Sequence, residues 1–511
     1  MAQIHTLWRA ISCAGFLVAL AVARPINPDN PPPGRFLDEW AEVYMNDAKI
    51  GYSHSTMSRD GDLIHTAMTM TLQLDRVGQA VRIGLSQTTT ETLGGIPLKF
   101  GSKQDMAMMT ATTEGKISDG KVVIIQSQFG MDQELSFDFP KGALMSWGLF
   151  RESMLRGFDA GTEYELKLYE PAIRMDDAIT ASTSVGEIEA FEQFGKKMKG
   201  RRVDVVLESP LGTMEMISWV DDGGLPVRSR VPMPGLGHLE ILATDQKTAL
   251  ADFLPAEMFV TTMVQANRAI DKRSADRVRY RIRAKDAEVE IGEFPSSAGQ
   301  SATTTADGSV DVVVTRISHK PTNPGSEKKG TPAPAEYLDG NLMINIADPQ
   351  LAAIAKEASR GETEPFALGD NLRRFVTAYI KNVNLNVGFA TASEVCRNRE
   401  GDCSEHGVLL AALGRLCKLP SRVAVGVVYL PSYGEKTNVF GYHMWTQFFI
   451  DNRWIDFDAA LRETQCSPTR IAFATSSLKH NGLADLSLPL ISKIGSIDIE
   501  IVEVSEDDTP E

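Results

Sequence analysis

The sequence predicts an α+β protein, in which a large antiparallel β domain precedes a smaller core with helices first and strands after. Two observations carry that prediction. From about Phe36 to about Leu250, apolar and polar residues alternate with period two between Gly- and Asp-rich turns, the pattern of half-buried strands. After a Pro-, Gly-, Ser- and Lys-rich linker at residues 321–335, the apolar spacing becomes helical and then returns to that of strands.

Within the β domain, residues 36–250, Met68, Met70, Leu72 and Leu74 alternate with Thr69, Thr71 and Gln73. Val81, Ile83 and Leu85 alternate with Arg82 and Gly84, and further strands are expected at Val203–Leu207, Met214–Val220 and His238–Ala243. Such a sheet packs one face and solvates the other. Met68, Met70, Met106, Met108 and Met109 allow a second reading, an apolar groove for a ligand, because Met adapts to varied partners. Core packing is the simpler reading. The basic run Lys196–Arg202 reads as a solvated turn between strands.

Residues 251–320 form a connecting β-rich segment, with a strand at Val310–Ile317. Beyond the linker, residues 336–504 make the second domain. Apolar spacing predicts helices over Pro349–Ser359, Asn371–Val383 and Ala390–Asn398, the last capped by Thr391. The strongest helix is Ser404–Leu416. Val408, Leu409, Ala412, Leu413 and Leu416 form its apolar stripe, and Lys418-Leu419-Pro420 ends it. Strands are expected at Val423–Leu430, Tyr442–Ile450 and Trp454–Phe457. An acidic stretch from Glu503, with residues 505–511 as its tail, reads as solvated and disordered.

Composition narrows the function. The chain has 511 residues, is 43% hydrophobic and carries a formal charge of −15. That acidity argues against nucleic acid, whose binders need a basic face. Arg9, the apolar run Ala10–Ala23 and the small-x-small site Ala21-Val22-Ala23 read as a signal peptide over residues 1–23. An uncleaved anchor is the alternative. Cys13 sits inside the apolar run, not at its end, so it is not read as a lipidation site. Residues Pro25–Pro33 read as a linker. No later segment is long and apolar enough for a transmembrane helix. The expected location is exported: periplasmic, envelope-associated or secreted. Cys396, Cys403, Cys417 and Cys466 are too sparse for a disulfide scaffold, although an exported chain could pair two of them.

The chemistry concentrates between Gly401 and Asp458. Cys403 follows Gly401-Asp402 at the start of the strongest helix. The first N–H groups of a helix are unpaired, and the helix dipole is positive there. Both favour a thiolate, the reactive form of cysteine. The same N–H groups can stabilise an oxyanion. Asp451-Asn452 is a plausible two-residue hairpin turn between Ile450 and Arg453. In that register Trp445 faces Asp458, and His443 lies diagonally across on the same face. Asp458 can then hold one ring nitrogen of His443 and leave the other for Cys403. The rival carboxylate, Asp456, is expected to face the other way along the strand.

These residues resemble a known family. Arg399-Glu400-Gly401-Asp402-Cys403-Ser404-Glu405-His406, with Leu419-Pro420-Ser421-Arg422-Val423 after the helix, is similar to the cysteine segment of the transglutaminase-like superfamily. Gly441-Tyr442-His443-Met444-Trp445-Thr446 resembles its histidine strand, and Trp454-Ile455-Asp456-Phe457-Asp458-Ala459 its aspartate strand. The resemblance runs from about Leu338 to Val504. It implies a transglutaminase-like (papain-like) α+β core and a thiol mechanism, with Cys403 attacking, His443 moving the proton and Asp458 orienting His443. Relatives often place a Gln or Trp near the nucleophile. Here Asn398 is the candidate second oxyanion donor, and Trp445 a supporting ring that shields the thiol–imidazole pair.

Other constellations are weaker. His406 lies three residues from Cys403 and is read as a supporting residue. A zinc site from Cys396, Cys403, His406 and Cys417 fails on spacing, because Cys403 and Cys417 stand about 21 Å apart along one helix. No metal or cofactor is implied. Gly235-Leu236-Gly237 lacks the strand–helix context of a dinucleotide site. Two functional readings result. One is an exported thiol enzyme that acts on amide or peptide bonds of a protein or peptide substrate, by hydrolysis or transamidation, with the β domain meeting an envelope partner. The other is a catalytically silent envelope-binding module that works through the β domain.

Overall fold

The computed structural model describes residues 26–506, apart from 77–78, 107–108, 129–130, 210–211, 234–236, 254–255, 258–262, 286–290, 318–332, 383–389, 480–492 and 494. The expected signal peptide at 1–23, most of the expected linker at 321–335 and the last five residues of the acidic tail lie outside the described residues. So do the side chains of Met106, Met108 and Met109. The chain divides into two compact units, one chiefly Thr6–Met233 with Gly237–Met258, the other chiefly Phe259–Glu511.

The first unit is an antiparallel meander. Its strands are β1 (Gly34–Met45), β2 (Ala48–Asp60), β3 (Leu63–Arg76), β4 (Gln79–Thr92), β5 (Pro97–Met106), β6 (Met109–Ser118), β7 (Lys121–Gln128) and β8 (Met131–Asp138). Helix α1 (Ser146–Arg156) follows, then β9 (Glu163–Leu168), β10 (Ile179–Gln193), β11 (Lys196–Ser209), β12 (Gly212–Val220), β13 (Pro226–Met233) and β14 (Gly237–Thr244). A short helix α2 (Gln246–Ala249) and strand β15 (Ala256–Glu257) complete it. The strands form one 15-stranded sheet in the order β8 to β1, then β14 to β9, with β15 added beside β3. Adjacent strands in sequence are adjacent in space because only two to four residues separate most of them.

Alternation decides which residues are inside. Met68, Met70, Leu72 and Leu74 of β3 are buried while Thr69 is exposed. Helix α1 is fixed to the sheet by a buried carboxylate. Glu91 accepts from the N–H groups of Trp147 (2.7 Å) and Gly148 (2.9 Å), which have no partner within the helix. Burial raises the Glu91 carboxyl above its ordinary range, against the pull of Thr89 and those N–H groups.

Two expectations change here. Lys196–Arg202 is not a turn. It begins β11, and the turn is Phe194-Gly195, both at positive φ. The Pro- and Asn-rich start is no free linker either. Ile26 joins the core around Trp147, and Arg59 donates to Asn30 and Pro31. One apolar side chain and one guanidinium suffice to seat a short segment.

The second unit starts with β16 (Val264–Gln265), β17 (Ala275–Ala284), β18 (Gln300–Thr304) and β19 (Val310–Thr315). Helices α3 (Pro349–Ser359), α4 (Pro365–Tyr379), α5 (Ala392–Asn398) and α6 (Cys403–Leu416) follow. Then come β20 (Ser421–Tyr433), β21 (Lys436–Ile450), β22 (Arg453–Phe457), β23 (Arg470–Ser476) and β24 (Ile497–Glu506). A five-stranded sheet has the order β16-β21-β20-β23, with β22 also on β21. A four-stranded sheet has the order β18-β19-β17-β24. Gln300 ties the sheets together, bonding the backbone of Ala472 through both ends of its amide at 3.0 and 2.7 Å.

Strands β16 to β19 are therefore structural parts of this second unit rather than of a connecting segment. Period-two alternation identified strands there but not their partners. The acidic stretch differs for the same reason: Glu503 to Glu506 complete β24, which pairs with β17. Arg279 donates to Glu503 at 3.3 Å, and Arg283 to Glu500 at 2.5 Å, so charges that repel in isolation are matched across the ladder. Helix α4 starts six residues before the expected Asn371 and ends at Tyr379. Pro365 occupies its first turn, and the Glu364 carboxylate caps Phe366 and Ala367. Glutamate is an uncommon cap, so periodicity alone missed the start.

Candidate active site

Helix α6 positions the nucleophile candidate. Asp402 is its N-cap, and Asp402 with Glu405 forms a capping box: the Asp402 carboxylate accepts from Ser404 N–H at 2.9 Å and also from the Glu405 N–H. Glu405 in return accepts from Asp402 N–H at 2.8 Å. Cys403 is the first residue of the helix, and its own N–H stands outside this box. Gly401 makes the turn possible. Its φ is +149°, and a Cβ there would lie 2.3 Å from Cβ of Glu405. Burial, followed by the charge of Asp402, pushes the Glu405 carboxyl up to about 8.

The helix lies on β21. Gly414 meets Phe448, where a Cβ would come within 2.4 Å of the ring, and Thr446 Oγ1 donates to Gly407 O at 2.8 Å. This contact carries His443, in mid-β21, under the start of α6. The hairpin has the expected register. Asp451 and Asn452 both have positive φ, Ile450 pairs with Arg453, and Thr446 pairs with Phe457.

His443 Nε2 bonds Asp458 Oδ2 at 2.7 Å, and Cys403 is near enough to favour the charged ring. With Nε2 committed to the carboxylate, Nδ1 is the nitrogen left for sulfur. Burial works against a charged His443. The adjacent Asp458 charge and hydrogen bond, together with Cys403, outweigh it and raise the imidazole to about 10. For Asp458 burial also opposes the charge, but His443 and Arg470 hold the carboxyl well below the usual range. The site therefore favours an imidazolium beside a carboxylate.

The other predicted residues fall as follows. Trp445 is buried, stacks on the His443 ring with centroids 6.1 Å apart, and donates Nε1 to Asp456 at 2.9 Å. Asp456 does not face the other way. Residues two apart on a strand share a face, and Asp456 accepts from Trp445 and from Gln447 (2.7 Å), one step farther along than Asp458. Position along the strand, not the face, keeps it from His443. Asn398 ends α5 and is exposed. His406 Nδ1 donates to the Asp402 carbonyl at 2.6 Å, and burial holds its imidazole below the ordinary value.

All four described cysteines are free. Cys396 and Cys466 are buried and Cys417 is partly so, and burial raises all three thiols. Cys403 is the one at a helix start beside a histidine.

Arg470 escaped the sequence reading. It is buried on β23, donates Nη1 to Asp458 Oδ2 at 3.0 Å and Nη2 to Glu463 Oε2 at 2.6 Å, and lies 5.1 Å from the Trp445 ring centre. Backbone bonds between Asp458 and Glu463, at 2.8 and 2.9 Å, fix the loop that presents both carboxylates. The available signal was a single basic residue opening the apolar run Ile471-Ala472-Phe473-Ala474.

Residues 352–459 match the core model of the transglutaminase-like superfamily. No curated protein matches the chain. Among solved structures, a candidate cysteine protease of Cytophaga hutchinsonii is similar at 14% identity and a TM-score of 0.26, over 46% of this chain and 90% of that one. A β-barrel-like domain of unknown function from Brucella abortus is similar at 14% identity and a TM-score of 0.32, over 42% and 96%. A candidate protease of Parabacteroides distasonis is similar at 11% identity and a TM-score of 0.19, over 73% and 68%.

Proposed function

We propose that this chain, which carries a transglutaminase-like domain at residues 352–459, is an exported thiol enzyme that acts on amide or peptide bonds. The observation that carries the reading is the His443–Asp458 hydrogen bond, with Cys403 near the His443 ring at the start of α6. In this reading the Cys403 sulfur, as thiolate, attacks the carbonyl carbon of a protein or peptide amide. The N–H of Cys403 donates to the oxyanion. His443 gives its proton to the leaving nitrogen, the C–N bond breaks, and a thioester remains on Cys403. A water that loses a proton to His443 then attacks the thioester and releases the acid and the thiol. An amine in place of water gives transamidation. Hydrolysis is the preferred outcome for an exported chain, and export itself rests on Ala10–Ala23 and the Ala21-Val22-Ala23 site.

A His443 turned away from Cys403, or a plugged site, would favour the silent-module reading, and the influence of Cys403 on the His443 ring speaks against the first. Iodoacetamide labelling followed across pH, with peptide mapping, tests the enzyme reading. Cys403 should label fastest of the four thiols, and Cys403→Ala should abolish amide turnover. Labelling of Cys403 no faster than a free thiol, with turnover kept in Cys403→Ala, overturns it.

A further inference from the structure

The first unit contains a cavity that the thiol chemistry does not use. Its volume is about 110 Å³, on the measure in which one water needs about 10–15 Å³. The ladder registers show how it forms. Tyr164 and Leu166 of β9 pair with Thr183 and Ala181 of β10, which pair in turn with Val205 and Leu207 of β11, and Leu168 lies two residues beyond Leu166, so these side chains share one face. Leu37, Met57, Thr66 and Met68 share a face of β1–β3 in the same way. Both faces line one cavity although β12, β13 and β14 stand between them in the sheet, so the sheet curls around it. Leu149, Phe150 and Met154 of α1 close one side, and all three are half-buried, so this side reaches solvent and is the open one.

The chemistry of the wall is specific. Among the described residues, no Asp, Glu, Lys, Arg or His lines the cavity. Met57, Met68 and Met154 give it adjustable apolar walls. Two deeply buried polar side chains also line it, each with an atom that bonds no described protein group: Gln87 Oε1 and Ser146 Oγ. A fully packed core pairs such atoms. The nearby acids, Glu91 and Glu170, are engaged elsewhere, Glu91 at the start of α1 and Glu170 with Ala172 N–H at 3.0 Å.

We infer that this cavity is a binding site for a single acyl chain, held by its hydrocarbon with the headgroup in water at the α1 side. A charged or bulky polar ligand finds no counter-charge in the wall, whereas a flexible chain fits curled apolar surfaces and brings at most a carbonyl, to which the Ser146 hydroxyl can donate. The chain can come from a free fatty acid or from a membrane lipid. This assignment is independent of the thiol site.

The test is titration of the full chain with a fluorescent polyene fatty acid, followed by displacement with unlabelled fatty acids of eight to eighteen carbons and with a lysophospholipid. Saturable binding that tightens with chain length is expected. Thr183→Phe, which projects a ring into the cavity, should weaken it about tenfold or more. Met154→Ala, which widens the open side, should shift the preference toward longer chains and keeps the test valid if Thr183→Phe fails to fold. Displacement by the lysophospholipid assigns the chain to membrane lipid; displacement by fatty acids alone assigns it to free acid. No saturable binding, or binding that neither substitution alters, overturns the inference.

Discussion

Asp458 Oδ2 is shared: it lies 2.7 Å from His443 Nε2 and 3.0 Å from Arg470 Nη1. One carboxylate oxygen thus joins the proposed general base to a buried cation, and the second oxygen is held by Leu461 N–H at 2.8 Å. Arg470 neutralises a charge that burial alone would disfavour, which makes it a positioning residue that acts through Asp458.

Arg470→Met should cost about 3–5 kcal/mol of stability, because it takes one cation from the buried Asp458 and a partner from the half-buried Glu463. The substitution should also lower kcat more than KM, since substrate does not touch Arg470. Urea unfolding and steady-state kinetics on a peptide amide check both. Arg470→Lys should restore part of each. Equal loss of activity in Arg470→Lys and Arg470→Met, at restored stability, would remove the positioning role.

Asp458→Asn should reduce kcat roughly 10⁴-fold, the size of the same change in a Ser-His-Asp triad. The amide keeps the shape but cannot stabilise the imidazolium. Asp456→Asn, whose carboxylate bonds Trp445 and Gln447 instead, should change kcat far less. Comparable losses in the two variants would mean that the wrong carboxylate has been assigned.

The charged pair also sets a pH profile for stability. His443 rises from 6.5 to about 10 on folding, so its contribution is complete below pH 6.5 and is lost as pH climbs toward 10. Asp458 is lowered from 3.8, so its contribution is present above that value and is lost in acid. Glu405, raised to about 8, adds its own loss between 4.5 and 8. The unfolding free energy should therefore decline on the alkaline side by up to about 1.4 kcal/mol per pH unit for each proton released. His443→Gln should flatten the part between pH 8 and 10, as measured by urea unfolding at stepped pH.

Gly401→Ala should destabilise the second unit by about 1–3 kcal/mol, since alanine strains at φ +149° and its Cβ meets Glu405. The capping box would open, and alkylation of Cys403 should slow with it. Wild-type labelling rates in a folded Gly401→Ala would show that the box does not present the thiol.

Much of the site was legible before any coordinates. The apolar stripe from Val408 to Leu416, ended by Lys418-Leu419-Pro420, located α6 and put Cys403 at its start. The turn at Asp451-Asn452 set the register that brings His443 to Asp458. Thr391 as a cap marked α5, and the ends of Pro349–Ser359 were read correctly. These are local signals: a cap, a turn or a period needs only neighbours in the chain.

The sequence by itself determined the two regions, the family resemblance and the order of cysteine, histidine and aspartate. Tertiary structure decided the rest. Arg470 reaches Asp458 from twelve residues away through a loop and a strand. Strand β17 finds β24 across more than two hundred residues. Walls of one apolar cavity come from strands that never pair. Period-two alternation states that a face is buried but not what it is buried against, because burial depends on apolar area and partner choice depends on how the whole sheet twists and closes.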